Sequence, residues 1–388
     1  MKRMEMIKNA LMSFTMFFIS YFVPKSRSKI VLGSSIGIKF NGNPKYLFIR
    51  LSKDKKYTKF SPIWLTKSEK VFEKLKKFNL NVEKIGTFNS LIQLLRAKYI
   101  VIDNTPEDVF IWPFLFGRFN VINTWHGVPI KKIGKDYQTP REETGKLRAI
   151  YNIFNKIFGF NSKHHEIMIA NSEMDLVNMN SAFSPKKIFL TGYPRNDVFF
   201  NRKYFEVENE RERLGLNKYK KVFLYAPTYR PYQKVLPSFS KNFLKKFNSY
   251  LIKNNYLLLV SAHLSTSKVE VEEFERIRYI SEFEDTQELL TNIDVLISDY
   301  SGSIIDFSLT KKPTIFYCYD LAEYSKKVGL YYDYNKLFKK LIVNNEDDLL
   351  NMLINLNRNQ KDYRGIHKVF HKFMDGKSCE RFIEKVLK

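Results

Sequence analysis

Val295-Leu296-Ile297-Ser298-Asp299-Tyr300-Ser301-Gly302-Ser303 is the stretch on which the fold reading turns. The apolar residues at its start form a short buried strand. Small and polar residues follow, and an apolar helical pattern then runs over Ser303–Leu309. Strand, small-residue turn and helix in that order make half of a parallel α/β unit. A turn that opens a helix presents N–H groups and the positive end of the helix dipole, which suits a phosphate. Ser301 and Ser303 add hydroxyl donors. Plain helix capping by serine uses the same geometry, so the two readings coexist.

The alternation extends in both directions. Strands are predicted at Lys29–Leu32, Pro62–Leu65, Tyr99–Asp103, Asn120–Thr124, Glu166–Ala170, Lys187–Leu190, Lys221–Tyr225, Tyr256–Ser261, Val295–Ser298 and Thr314–Tyr317. Helical patterns lie between them at Ser68–Phe78, Ser90–Ala97, Lys241–Lys253, Thr286–Asn292 and Asp347–Leu356. Near-continuous apolar strands alternating with helices imply parallel sheets covered on both faces. The charged stretch Asn201–Asn217 interrupts the pattern, which then restarts. The expected organisation is an N-terminal segment (1–28), a first Rossmann-like domain (29–205) and a second (206–388) whose C-terminal helix closes a cleft between them. Ligands in such sheets bind at the carboxyl ends of the strands.

Composition bounds the partners. Lys and Arg total 65 against 40 acidic residues, a formal net charge of +25. Such an excess favours acidic lipid head groups, nucleotides, polyphosphate-like polymers or nucleic acid. No recognised nucleic-acid motif appears, and no nucleic-acid partner is expected. The 34 Phe and 23 Tyr are spread through apolar strands and helices and read as core. Cys318 and Cys379 have no metal-ligand spacing and form no disulfide framework, which fits a reducing cytoplasm.

Ala10–Val23 is a mostly apolar run with Lys2, Arg3 and Lys8 before it and Lys25, Arg27 and Lys29 after it. It is shorter than the ~20 residues of a spanning helix. Tyr21-Phe22-Val23-Pro24 offers no signal-peptidase site. An interfacial helix with a basic collar on an anionic membrane is expected. The alternative is a helix capping the core.

The polar loops after the strands carry the candidate chemistry. Asn120–Thr124 leads into Trp125-His126-Gly127-Val128-Pro129-Ile130-Lys131-Lys132. A His at a strand end can take a hydroxyl proton near neutral pH. A lone His is more often structural, but Lys131 and Lys132 tilt this one toward an anionic site. Lys221–Tyr225 leads into Ala226-Pro227-Thr228-Tyr229-Arg230, placing Thr228 and Arg230 for phosphate oxygens. A surface Arg in a turn is the alternative. Tyr256–Ser261 runs into His263, weak evidence taken alone. Asp375-Gly376-Lys377-Ser378 lacks the upstream glycine of a P-loop, since position 371 is His. No Asp-x-Asp motif marks a metal site, and neither a metal nor a cofactor is expected.

Taken together, these segments resemble the CDP-glycerol glycerophosphotransferase family of teichoic-acid and capsule synthesis. The matching pieces are Asn43-Pro44-Lys45-Tyr46-Leu47, Thr124-Trp125-His126-Gly127, Gly192-Tyr193-Pro194-Arg195-Asn196-Asp197 and Tyr225-Ala226-Pro227-Thr228-Tyr229-Arg230. Asp285-Thr286-Gln287-Glu288, Ile297–Ser303 with Asp306, Lys312-Pro313, Tyr319-Asp320 and Asp375–Arg381 follow in family order. The resemblance implies a GT-B-like pair of Rossmann domains, the first for the acceptor and the second for the nucleotide donor. It implies a peripheral protein on the cytoplasmic face of the membrane that moves glycerol phosphate from CDP-glycerol to a lipid-linked or polymeric glycan acceptor, releasing CMP. His126 would be the base and His263 would serve on the diphosphate or catalytic side. Thr228, Arg230, Ser301, Gly302 and Ser303 would hold the donor phosphates, with Glu288 and Asp299 on the nucleotide. Lys131, Lys132 and Arg195 would bind the acceptor or another anion. Val128, Tyr229, Gly302 and Leu264 depart from the common family residues and leave CDP-ribitol and other CDP-polyol donors open. The rivals are a nucleotide-sugar transferase of the same architecture and a non-enzymatic basic protein binding membranes or nucleic acid.

Overall fold

The computed structural model describes residues 15–16, 18–111, 118–137, 165–206, 208–230, 232, 239–261, 274–280, 283–356 and 365–388. It divides into two compact units, one of Met1–His126, Pro140–Val207 and Lys372–Lys388, the other of Gly127–Thr139 and Glu208–His371.

The first unit holds a seven-stranded sheet built from β1 (Lys29–Leu32), β2 (Ser61–Thr66), β3 (Val82–Lys84), β4 (Tyr99–Ile102), β5 (Val121–Asn123), β6 (Ile167–Ala170) and β7 (Lys187–Leu190). The spatial order is β3-β2-β1-β4-β5-β6-β7, and every pair is parallel. The order reverses between β1 and β4, so their exits frame the crevice where a doubly wound sheet binds ligands. Strands β1 and β4 are almost wholly buried, as a sheet covered on both faces requires.

The second unit repeats the plan with β8 (Lys221–Ala226), β9 (Tyr256–Ser261), β10 (Ile277–Ile280), β11 (Val295–Ser298), β12 (Thr314–Tyr317) and β13 (Ile342–Val343). Their order is β10-β9-β8-β11-β12-β13, again all parallel, with the reversal between β8 and β11. Helix Lys241–Asn254 presents Phe243, Phe247 and Leu251 to this sheet. Phe239, Phe243 and Phe247 stack in succession, with ring centroids 4.5 and 5.6 Å apart. Here the aromatic residues are core, as their distribution along the chain implies.

Two features differ from the sequence reading. The C-terminal helix Ser378–Val386 belongs to the first unit, not to the second domain. Its N-terminus is seated on buried Asp197, whose carboxylate accepts from the N–H groups of Ser378 and Cys379 at 2.9 and 2.8 Å. Arg381 donates to the Thr191 carbonyl at 2.8 Å. Burial pushes the Asp197 carboxyl up, while the two N–H groups pull the other way. Asp197→Ala removes the acceptor from both amides and should cost about 1–3 kcal/mol. Amide exchange in Ser378–Val386 should then speed up ahead of exchange in the sheet.

The second difference is that Gly127–Thr139 leaves the first unit and packs with the second. Lys131 forms an antiparallel bridge to Leu330, and Lys132 N–H donates to Gly329 O at 3.0 Å. His126 is therefore the last residue of the first unit before the chain crosses.

Residues 18–22 are helical, while residues 1–14 lie outside the described residues. Met16 and Ser20 are buried, and Ser20 Oγ accepts from Arg118 N–H at 2.9 Å. Phe18, Ile19, Tyr21 and Phe22 point outward, Phe22 with 85% of its surface exposed. Among the described residues no helix is long and apolar enough to cross a membrane.

Candidate active site

In the first unit, the exit of β5 makes a strained turn. Trp125 has φ +53° and Gly127 has φ +134°. The left-handed conformation costs a residue with a side chain roughly 1–2 kcal/mol. Gly127 lies at a φ that only glycine adopts easily. The Asn123 side chain takes the Trp125 N–H at 2.9 Å, and Thr124 N–H and hydroxyl both donate to Ile102 O at 2.8 Å. His126 emerges exposed from this turn, stacked on Trp125 with centroids 4.3 Å apart. Its Nδ1 lies 3.3 Å from the Asp103 carbonyl oxygen.

Arg195 does not take the anion-binding role that the sequence suggested. It is buried, with 7% of its surface exposed, and its Nη1 donates to the His126 carbonyl. The guanidinium shapes the turn from within.

Asp103, at the exit of β4, accepts the Ser35 N–H from the loop after β1 at 3.2 Å. Asp108 accepts N–H groups from Ile36, Asn104 and Asp103 at 2.7, 2.9 and 3.1 Å. Burial, and then the neighbouring Asp108, push the Asp103 carboxyl well up. Burial also pushes Asp108 up to about 6, against the pull of its N–H donors. Between about pH 4, where a free Asp ionises, and about 6 the folded state holds more protons than the unfolded one. Stability therefore falls as pH rises through that window, on the order of 2–3 kcal/mol. Asp103→Asn removes one coupled carboxyl and should flatten the fall, as read from melting curves at successive pH values.

In the second unit, Asp299 at the exit of β11 plays the part that Asp103 plays in the first. It accepts from Thr228 N–H and Oγ–H, at 2.9 and 2.5 Å, across the point where strand order reverses. It also accepts its own neighbour's N–H, from Tyr300, at 2.6 Å and Arg230 Nη1 at 2.6 Å. Its oxygens are thus engaged by protein, so the nucleotide-binding role expected of Asp299 is not supported. Thr228 spends its hydroxyl proton on Asp299 and has no donor for a phosphate.

Arg230 overturns the expectation for it as well. Its guanidinium is fully buried and forks between Asp299 and Asp320, meeting Asp320 at 3.0 and 2.9 Å. Nη1 also donates to the Thr228 carbonyl. Burial pushes the Asp320 carboxyl up, but Arg230 and the hydroxyls of Tyr300 and Tyr232 outweigh it and hold the pKa below the usual value. The arrangement is a structural clasp.

The Ser301–Ser303 turn opens a short helix and keeps the capping geometry that its sequence suggests. Ser301 caps helix Gly302–Phe307, its Oγ accepting from Ser303 N–H at 3.3 Å and lying 2.8 Å from Ser303 Oγ. Gly302 is required by packing. A Cβ there would lie 2.6 Å from the Val128 carbonyl oxygen. Lys131, three residues beyond Val128, is exposed, yet crowding by protein lowers its ammonium pKa, against the attraction of Asp299. Lys131 thus lies within electrostatic reach of Asp299, two residues before Ser301. The Lys132 stem lies across Gly329, where a Cβ would meet it at 2.9 Å. Glu288 is half-buried on helix Thr286–Thr291, which Gln287 fastens to helix Gly302–Phe307 by donating to Asp306 at 2.9 Å. His263 lies outside the described residues. No metal-ligand cluster occurs among the described residues.

The sequence reading gave no role to Asn43, Asp103 or Asp320. Asn43 and Asp320 stood in quoted motifs, but only their long-range partners reveal what they do.

Comparison with known proteins agrees with this architecture. A family model described as CDP-Glycerol:Poly(glycerophosphate) glycerophosphotransferase matches residues 15–388. The chain is 28% identical over 380 residues to a teichoic acid glycerol-phosphate transferase of Staphylococcus aureus, covering 94% of each chain. It is 28% identical over 385 residues to a teichoic acid poly(glycerol phosphate) polymerase of Bacillus spizizenii, covering 94% of this chain and 93% of the other. The solved structure of the wall teichoic acid polymerase TagF shares the GT-B-like fold, with TM-score 0.72 and 24% identity over 94% of this chain and 89% of that one. With its two parallel-sheet units and a family match that spans both, the chain belongs to the CDP-glycerol:poly(glycerophosphate) glycerophosphotransferase family of transferases.

Proposed function

We propose that the protein transfers glycerol phosphate, or a related polyol phosphate, from CDP-glycerol to a hydroxyl of a growing or primed glycan polymer in teichoic acid synthesis. The observation that carries this reading is the exposed His126 imidazole, held on a strained strand-exit turn in a chain matched to the transferase family. His126 takes the proton of the acceptor hydroxyl. The oxygen attacks the phosphorus that bears the polyol, and the bond to the bridging oxygen breaks. CMP departs with the electron pair, leaving a phosphodiester. Such transfer depends on positioning and charge neutralisation more than on covalent help. Within the second unit, Lys131 and the Ser301 and Ser303 hydroxyls are the groups whose chemistry suits that neutralisation.

The acceptor is membrane-linked in this reading, and the protein sits on the cytoplasmic face. Exposed Phe18, Ile19, Tyr21 and Phe22, with exposed Arg27 following, support it, because an apolar helix face beside a basic residue suits an anionic bilayer surface. The test is a donor panel of CDP-glycerol, CDP-ribitol and UDP-sugars with lipid-linked acceptors. CMP release from a CDP-polyol is expected. Release of UDP instead would mark a sugar transferase on the same fold.

A further inference from the structure

Asn43 is wholly buried in the first turn of helix Gly42–Lys53 and reaches two other segments at once. Its Nδ2 donates to the carbonyl oxygens of Thr124 and Trp125 at 3.0 and 2.8 Å. Its Oδ1 accepts the Arg195 N–H at 3.1 Å. Arg195 in turn grips the His126 carbonyl. Carbonyls 124, 125 and 126 are therefore all held by two buried side chains, and Asn43 also fixes the backbone of Arg195.

Between those carbonyls sits the left-handed Trp125. A strained residue persists only where its surroundings over-determine it. The turn sets the indole, and the indole stacks on the His126 ring with 30° between planes. It also brings His126 Nδ1 to the Asp103 carbonyl. A carbonyl oxygen only accepts, so Nδ1 carries the hydrogen and the lone pair stands on Nε2.

We propose that Asn43 is a positioning residue for the transfer. By holding the Trp125 turn it selects the Nδ1–H tautomer of His126 and aims Nε2 at the acceptor hydroxyl. The inference rests on the transferase reading given above. Asn43 touches no reacting atom and acts only through the backbone that carries His126.

The experiment pairs kinetics with ¹⁵N imidazole spectra of the full chain, using His126→Ala to assign the His126 signals. Asn43→Asp keeps the acceptor for Arg195 N–H but turns an oxygen toward two carbonyls. Asn43→Ala removes the donors without adding charge. Wild type should show His126 as the Nδ1–H tautomer. In either variant that pattern should average between tautomers. The kcat for CMP release should fall about 10–100-fold, the size of a lost supporting shell, while KM for CDP-glycerol stays within about twofold. An Nε2–H tautomer in wild type overturns the proposal without any variant. So does a folded variant that keeps both tautomer and kcat. If wild type releases no CMP from CDP-glycerol, the transferase reading fails, and the spectra still decide what Asn43 does.

Discussion

Replacing His126 by alanine should lower CMP release from CDP-glycerol by about 10²–10⁴-fold, the range that a positioned general base contributes. Folding should barely change. The side chain is exposed, and substitutions at such positions usually stay within about 0.5 kcal/mol. His126→Gln sharpens the test, because glutamine can hydrogen-bond but cannot accept the proton. Both variants should therefore lose rate at unchanged melting temperature, with KM for the donor little affected. Near-normal turnover in either variant would remove the base from the mechanism and leave His126 as a structural residue on a strained turn.

Arg230→Met should destabilise the protein by about 3–5 kcal/mol, because it strands buried charge. Asp299 and Asp320 have side chains 2% and 5% exposed, and both face the guanidinium. The loss is a large part of the roughly 5–15 kcal/mol that holds a typical domain together. Arg230→Lys should recover only part of it, since a point charge cannot fork between two carboxylates. High salt should weaken the wild-type clasp little, because a buried pair is poorly screened. Urea midpoints measure the effect directly. A phosphate ligand would behave in the opposite way, with KM for the donor rising at constant stability. That outcome would restore the role Arg230 was given from its position at a strand exit.

Most strands, including the edge strand β7, were legible with their ends almost right. β1, β7, β9, β11 and β12 coincide with the predicted limits, because continuous apolar runs bounded by polar turns leave little freedom. The edge strands β3, β10 and β13 were missed. β3 and β10 mix charge with apolar residues, as in Val82-Glu83-Lys84, β13 is only two residues long, and each becomes a strand only because a neighbour offers its ladder. Helix Gly42–Lys53 was missed for a different reason. It buries Tyr46, Leu47, Phe48, Ile49 and Leu51, so no apolar stripe with a helical period shows in its sequence.

By itself the sequence determined the strand-turn-helix units, the His at the β5 exit, the serine turn after β11 and, through its ordered motifs, the family. These are local signals, set by propensity and by periods of a few residues. The tertiary structure decided what the strand-exit charges do. Asp299 and Asp320 lie 69 and 90 positions from Arg230 and yet take its guanidinium out of reach of any substrate. Asn43 reaches 152 positions to Arg195 to hold the turn beneath His126. An arginine at a strand exit looks the same in sequence whether it meets a phosphate or a pair of buried carboxylates. Only the packing of distant segments, which sets who desolvates whom, separates the two.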